Sequence, residues 1–294
     1  MGRRLPLGLI ITFLLPACSL YAFFVLYPMV QALYVACFRW RGVSLHRTWV
    51  GLSNFRELLL SDPLFWIALK HNLAFLFIAG AALLCLGMFF AVALAGRVKA
   101  AGFFRVVYLF PHVMSVVAIA VLWSFIYHPT LGLVTGALKV VGLERFSHAW
   151  LGESGTALWA IMIVYLWYSL GFYVTLFSAG VHNIPRDLHD AAAIDGCSAW
   201  QSFYRVTLPL LRETVKLAVV FLIIGSLNIF GLVYVMVAGQ VQPHSEVMLT
   251  RLYYLAFTES NYGVATALGV VMMAMIFALS LLSLRLLKRE VVEF

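Results

Sequence analysis

An all-α integral membrane protein with six transmembrane helices is the fold class this sequence predicts, and three observations predict it. First, 64% of its 294 residues are hydrophobic and 11% charged, with a mean hydropathy of +0.98. A water-soluble domain is about a quarter charged and half apolar. Second, six stretches lack Asp, Glu, Lys and Arg: 34 residues after Arg4, 26 after Lys70, 33 after Arg105, 32 after Glu153, 29 after Lys216 and 25 after Glu259. Each exceeds the about 20 apolar residues that cross a hydrocarbon core. Third, these runs are continuous, whereas a β-barrel would show short alternating segments. The same numbers exclude a soluble enzyme, a disordered regulator and a secreted disulfide scaffold.

The first span, 9–37, follows Arg3 and Arg4 as a signal peptide would. A cleavable apolar core is only about 7–15 residues long, and this run continues to Phe38. It reads as an uncleaved anchor that tolerates Pro16 and Pro28, as membrane helices do. Residues 49–70 read as an amphipathic segment on the outer membrane face, followed by spans at 72–95 and 106–127. Within 128–152, Leu133, Leu138, Val141 and Leu143 recur at near-helical spacing, closed by Gly142 and a Trp150–Leu151 anchor. Spans at 157–180, 217–238 and 263–285 complete the six, with a polar loop at 181–213. No linker or low-complexity stretch separates them, so 1–294 reads as one domain.

Six crossings place both termini on one side. With that side cytoplasmic, the inner segments carry twelve basic residues: Arg3, Arg4, Arg97, Lys99, Arg105, Arg186, Arg205, Arg212, Lys216, Arg285, Lys288 and Arg289. The outer segments carry eight, a modest excess in the direction of the positive-inside rule. The cluster from Arg39 to Arg47 counts against this orientation; loop 181–213, described below, supports it.

The net charge of +8 fits loops facing anionic lipid rather than nucleic acid. None of Cys18, Cys37, Cys85 and Cys197 forms a C-x-x-C pair, so neither a metal site nor a redox motif is indicated. The six spans contain no Asp, Glu, Lys or Arg, the usual marks of an ion path. His112, near the inner end of the third span, reads as a structural histidine rather than a proton relay. H-E-x-x-H and G-x-S-x-G are absent. All five lysines follow Leu or Val, so there is no phosphate-gripping G-K-[ST]. Uphill transport by this chain therefore needs energy delivered by another polypeptide.

Loop 181–213 is built to receive it. Pro185 suits a first helical turn, Asp187 complements the positive helix end, and Gly196 provides a left-handed stop. Arg186 and Asp190 stand one turn apart and can pair. Ser198 and Gln201 predict a capping box for a second short helix ending near Pro209. Leu188, Ala191, Ala192 and Asp195 are expected on one face, where small alanines admit another surface. An ordinary interfacial connector is the alternative reading.

The run D-A-A-x-x-x-G-x9-V-x-L-P, from Asp190 to Pro209, resembles the E-A-A loop of permease subunits in ATP-binding-cassette importers. It departs by Asp190 for Glu and Val206 for Ile. V-G-L-S-N-F at 50–55, D-P-L-F-W at 62–66, G-F-F-R at 102–105 and I-P-R-D-L at 184–188 are similar to the maltose and glycerol-3-phosphate branch. The resemblance implies the type I importer permease fold, with cytoplasmic coupling helices seated in separate ATPase subunits. It assigns the coupling surface to Asp190, Ala191, Ala192, Asp195, Gly196, Val206, Leu208 and Pro209. It also implies a second, homologous permease, two ATPase subunits that bind ATP and Mg, and an extracytoplasmic solute-binding protein. No cofactor is expected in this chain, whose place would be the inner membrane of a prokaryote.

A sugar path needs hydrogen-bonding groups and aromatic faces. The fourth span offers Tyr165, Trp167, Tyr168, Ser169 and Tyr173, and the fifth offers Ser226, Asn228 and Tyr234. The resemblance places the cavity at these two spans, with matching stretches at Tyr168 to Phe172 and Ser226 to Asn228 whose side chains differ from the family's; with Tyr234 from the fifth span, the candidate pathway residues are Tyr168, Phe172, Ser226, Asn228 and Tyr234. Interfacial Tyr/Trp packing and Asn/Ser bridging between helices is the competing account. An ion-driven carrier of a small polar solute and an inert membrane anchor are the rival functions.

Overall fold

The computed structural model describes residues 7–42, 46–95 and 101–287. Arg3, Arg4, Arg97, Lys99, Lys288 and Arg289 lie outside them. The fold divides into two compact units, one containing the chain up to Pro63 with Arg251–Met273, the other Leu64–Thr250 with the chain from Ala274.

In the first unit, helix α1 (7–35) runs through a π-helical turn at Ala22–Leu26 and keeps Pro16 inside it. From residue 12 on, its exposed side chains are mostly apolar: Phe13 is 75% exposed and Phe24 68%. Such a surface suits lipid or another apolar partner and not water. Strands β1 (Phe38–Arg39) and β2 (Thr48–Trp49) then pair antiparallel. Helix α2 (53–61) follows, and its buried Asn54 explains the V-G-L-S-N-F run. The Asn54 amide donates to the carbonyls of Ala36 (2.7 Å) and Phe38 (2.9 Å), closing the end of α1. Arg251 joins Asp62 and Glu259, each at 2.8 Å. Burial alone would lower the Arg251 pKa. Hydrogen bonds to Asp62 and Glu259 and their charges outweigh it and hold the guanidinium above its ordinary value.

The second unit is a helical bundle. Helix α3 (Pro63–Ala95) begins nine residues earlier than expected for the second span, so residues 63–70 belong to it rather than to a surface segment. The expected third span, 106–127, is two helices, α4 (Ala101–Val113) and α5 (Val116–Ile126), bent by 96°. Pro111 inside α4 removes a backbone donor and clashes with the preceding turn, and Ser115 beyond it is extended. Helix α6 (Leu133–Val140) ends at Gly142, whose φ is +74°. Helix α7 (Ala157–His182) covers the fourth span in one piece. Helices α8 (Arg186–Ile194) and α9 (199–210) form the polar loop.

The expected fifth span, 217–238, is also interrupted. Helix α10 (Arg212–Leu227) stops, residues 228–230 are non-helical, and α11 (Gly231–Met236) resumes. Helix α12 (248–258) precedes α13 (Tyr262–Leu286), the sixth expected span. Among the described residues four helices are long and apolar enough to cross a membrane; the bent pair makes five. The core of the second unit is one apolar cluster in which Phe75, Leu83, Ile119, Ile161, Phe177 and Leu227 are at most 1% exposed. Small residues let the helices approach closely, as membrane bundles require. At Gly171 an added β-carbon would overlap the Tyr108 carbonyl of α4.

Candidate functional site

Loop 181–213 follows its local signals. Pro185 precedes α8, and Gly196 holds φ +74°. The Gly196 N–H donates to the Ala193 carbonyl (3.1 Å) and the Cys197 N–H to the Ala192 carbonyl (2.9 Å), the paired bonds of a Schellman stop. Ser198 and Gln201 complete a capping box: the Gln201 N–H donates to Ser198 Oγ (3.3 Å), and the Ser198 N–H to Gln201 Oε1 (2.8 Å). Two short helices are thus locked at a fixed angle by bonds within a few residues of the turn.

The structure divides the expected face by depth and, among the described residues, does not form the expected ion pair. Leu188, Ala191, Ala192 and Asp195 lie within one arc of about 100°, but only Leu188 and Ala192 turn inward, while Asp190, Ala191, Asp195 and Gly196 are exposed. Residues four apart form one stripe and those three residues further along a second, offset by about 60°, so the inner stripe is 188/192 and the outer one, at the edge of the same face, is 191/195. Arg186 and Asp190 are both exposed, and among the described residues no ion pair joins them. The outer surface instead carries two apolar side chains that the sequence reading missed, Ile194 at 87% and Trp200 at 69% exposure. Val206 and Leu208 are half-buried and Pro209 is exposed.

A cleft of about 430 Å³ opens where α4, α7, α10 and α11 meet. Tyr168 and Phe172 of α7 form one wall, with His112 of α4 against both at 5.1 and 5.4 Å between ring centres. Phe221 closes on Phe172 at 5.3 Å. The floor is Asn228, Ile229, Phe230 and Gly231, the interruption between α10 and α11. Asn228 Nδ2 donates to the Ile224 carbonyl (3.0 Å) while its side chain stays exposed. The arrangement offers aromatic faces, a carboxamide, hydroxyls and an imidazole to one ligand, with no acid or lysine.

The structure therefore brings together Tyr168, Phe172 and Asn228. It separates Ser226 and Tyr234 from them. Ser226 is fully buried and its hydroxyl donates to the Ile223 carbonyl (3.3 Å); it points away from the cleft because it lies two residues round the helix from Asn228. Tyr234 stacks on Phe230 at 5.2 Å, outside the lining. His112 is not the satisfied structural histidine expected, since its Nδ1 is buried with no hydrogen-bond partner among the described residues. Pro111 was the available signal that the chain turns beside it. The charge-free reading also changes: Lys70 lies inside α3, and Lys216, 8% exposed, lies in α10 and pairs with Glu213 at 2.6 Å.

The profile of one protein family, described as the binding-protein-dependent transport system inner membrane component, matches residues 83–292. The chain belongs to this family. Among its relatives is the probable ABC transporter permease protein YurN of Bacillus subtilis, 34% identical over 94% of each chain. The diacetylchitobiose uptake system permease protein NgcF of Streptomyces coelicolor is 35% identical over 87% of this chain and 75% of the relative. The trehalose/maltose transport system permease protein MalF of Thermococcus litoralis is 27% identical over 96% and 94%. The fold matches the crystal structure of a bacterial ABC transporter involved in the import of the acidic polysaccharide alginate. There the TM-score is 0.80 at 22% identity, with 96% of each chain covered. The chain is thus a multi-pass inner-membrane permease subunit of an ABC importer, a transport component of a binding-protein-dependent system rather than an enzyme.

Proposed function

We propose that this permease carries a sugar or related polyhydroxy solute through the cleft at Tyr168, Phe172 and Asn228. The observation that carries the reading is that cleft itself. Ring faces stack on the apolar C–H patches of a pyranose while the carboxamide replaces water at its hydroxyls. The diacetylchitobiose and trehalose/maltose names of two relatives agree with that chemistry. In this reading the chain crosses the membrane six times, with the bent pair α4–α5 and the interrupted pair α10–α11 each serving as one crossing and both termini cytoplasmic. Irregular backbone at membrane depth is tolerated where it lines a cavity, which is what residues 228–230 do.

Transport is driven from outside the chain. A second, homologous permease completes the pathway, and two ATPase subunits hold ATP and Mg. Their closure pushes on the loop at Asp190, Ala191, Asp195 and Gly196, whose two short helices transmit force because both ends of the turn are hydrogen-bonded. The test is the purified complex in lipid vesicles with its binding protein, assayed for ATP hydrolysis stimulated by maltose and by diacetylchitobiose. Stimulation by either is expected, and Asn228→Ala should reduce it or change which sugar is preferred. Unchanged preference and stimulation in that variant would remove Asn228 from the pathway. Solute accumulation by this chain alone under an ion gradient would establish the rival carrier.

A further inference from the structure

The cleft floor exists because a helix stops at Asn228, and stopping frees carbonyls in the preceding turn that have no intrahelical partner. In a bilayer no water is on hand to replace them. Here one residue from a distant helix does so. Asn72, on α3 and 0% exposed, donates from Nδ2 to the Ser226 carbonyl at 2.7 Å and reaches the Leu227 carbonyl at 3.5 Å. The other end of the same amide accepts the Met248 N–H at 2.8 Å. Its neighbour His71 bonds the Glu246 carbonyl through Nδ1 at 2.7 Å. One carboxamide therefore ties the last turn of α10 and the chain returning at 246–248 to the same point on α3.

Only Asn or Gln combines a two-hydrogen donor and an acceptor in one uncharged group, and the short Asn side chain suits helices this close. We propose that Asn72 is a positioning residue for the transport cleft: it holds the interruption at 228–230 open and sets where Asn228 stands. The inference rests on the interruption being the cleft floor, and its significance for transport rests on the solute reading above.

The experiment uses the whole complex with Asn228→Cys as a reporter, labelled by an aqueous maleimide; the parent with its native cysteines sets the background. Asn72→Leu removes both halves of the amide link. Asn72→Asp keeps an acceptor for Met248 and loses the donor to Ser226, and it decides the question alone if the Leu variant does not assemble. Thr250→Val is the control: Thr250 is equally buried and bonds only Val247. Both Asn72 variants should change the labelling rate at position 228 by about tenfold, as loss of one buried hydrogen bond allows, with Thr250→Val near the parent rate. A parental rate in the assembled Asn72 variants, or an equal change in Thr250→Val, overturns the proposal. Protection of the reporter by maltose or diacetylchitobiose tests the solute reading separately. A shifted rate leaves Asn72 in its role whether or not sugar protects, because Cys at 228 has itself lost the carboxamide proposed to hold the sugar.

Discussion

Replacing Gly171 by Ala tests how α4 and α7 meet. A β-carbon there would lie inside the contact radius of the Tyr108 carbonyl oxygen, 2.6 Å from that carbonyl's carbon and 3.0 Å from Leu109 Cα. Comfortable carbon–carbon contact begins near ~3.5 Å, so α4 must retreat by roughly 1 Å. All three obstacles are main chain, and none can swing aside. Overpacking of this kind costs about 1–3 kcal/mol, equivalent to about 5- to 150-fold in the folded population. Gly136 on α6 is the counterpart: it is exposed, and a β-carbon there meets nothing within 4 Å. The same Gly→Ala change at that position should stabilise by about 0.5–1 kcal/mol through helix propensity. The assay is thermal unfolding of the purified complex, with melting temperatures compared at equal protein concentration. Gly171→Ala should melt below the parent and Gly136→Ala at or above it. Because Tyr168, Ser169 and Phe172 share the turns around Gly171, sugar-stimulated ATP hydrolysis should fall only in Gly171→Ala. If Gly171→Ala melts at or above the parent temperature, the close approach of the two helices is wrong.

Two further outcomes follow from the geometry. Gly196 sits at φ +74° in open space, so the penalty for a side chain is conformational, about 1–2 kcal/mol. Gly196→Val should abolish uptake while the protein remains in the membrane, and Gly196→Asn, which tolerates that conformation, should keep most of it; normal uptake by the Val variant takes the turn out of coupling. Asp62→Asn removes the more buried of the two carboxylates held by Arg251, whose side chain is 11% exposed, and leaves it Glu259, so the cost should fall below the about 3–5 kcal/mol of breaking a lone buried pair. The melting temperature should drop and largely recover in the Asp62→Leu/Arg251→Met double variant; an unchanged melt for Asp62→Asn assigns the pair no stabilising role.

Much of the fold is legible in the chain because a bilayer punishes charge and unpaired backbone. The uninterrupted helices α7 and α13 fall within about two residues of the expected spans, 157–180 and 263–285. The turn at Gly196 and the Ser198–Gln201 box are legible for another reason: every bond they need lies within six residues. The face of α8 was legible but not its depth, because periodicity groups residues on one arc without saying which edge of it meets the core. Half of the cleft was legible as well. Tyr168 and Phe172 stood out as aromatics on one helix, but Ser226 and Asn228, equally polar and two residues apart, are separated only by helix phase. His112 could not be placed until the bend after Pro111 brought it to α7.

What the amino-acid order determined by itself is a membrane-embedded helical chain with a stiff polar elbow, since hydrocarbon tolerance and short-range hydrogen bonding are properties of neighbouring residues. What only the tertiary structure decided is where two of the long apolar runs break and which side chains meet there. A break is stable only if distant groups take up the backbone it frees. For the interruption at 228–230 that group is Asn72, more than 150 residues away in sequence, and no local rule connects them.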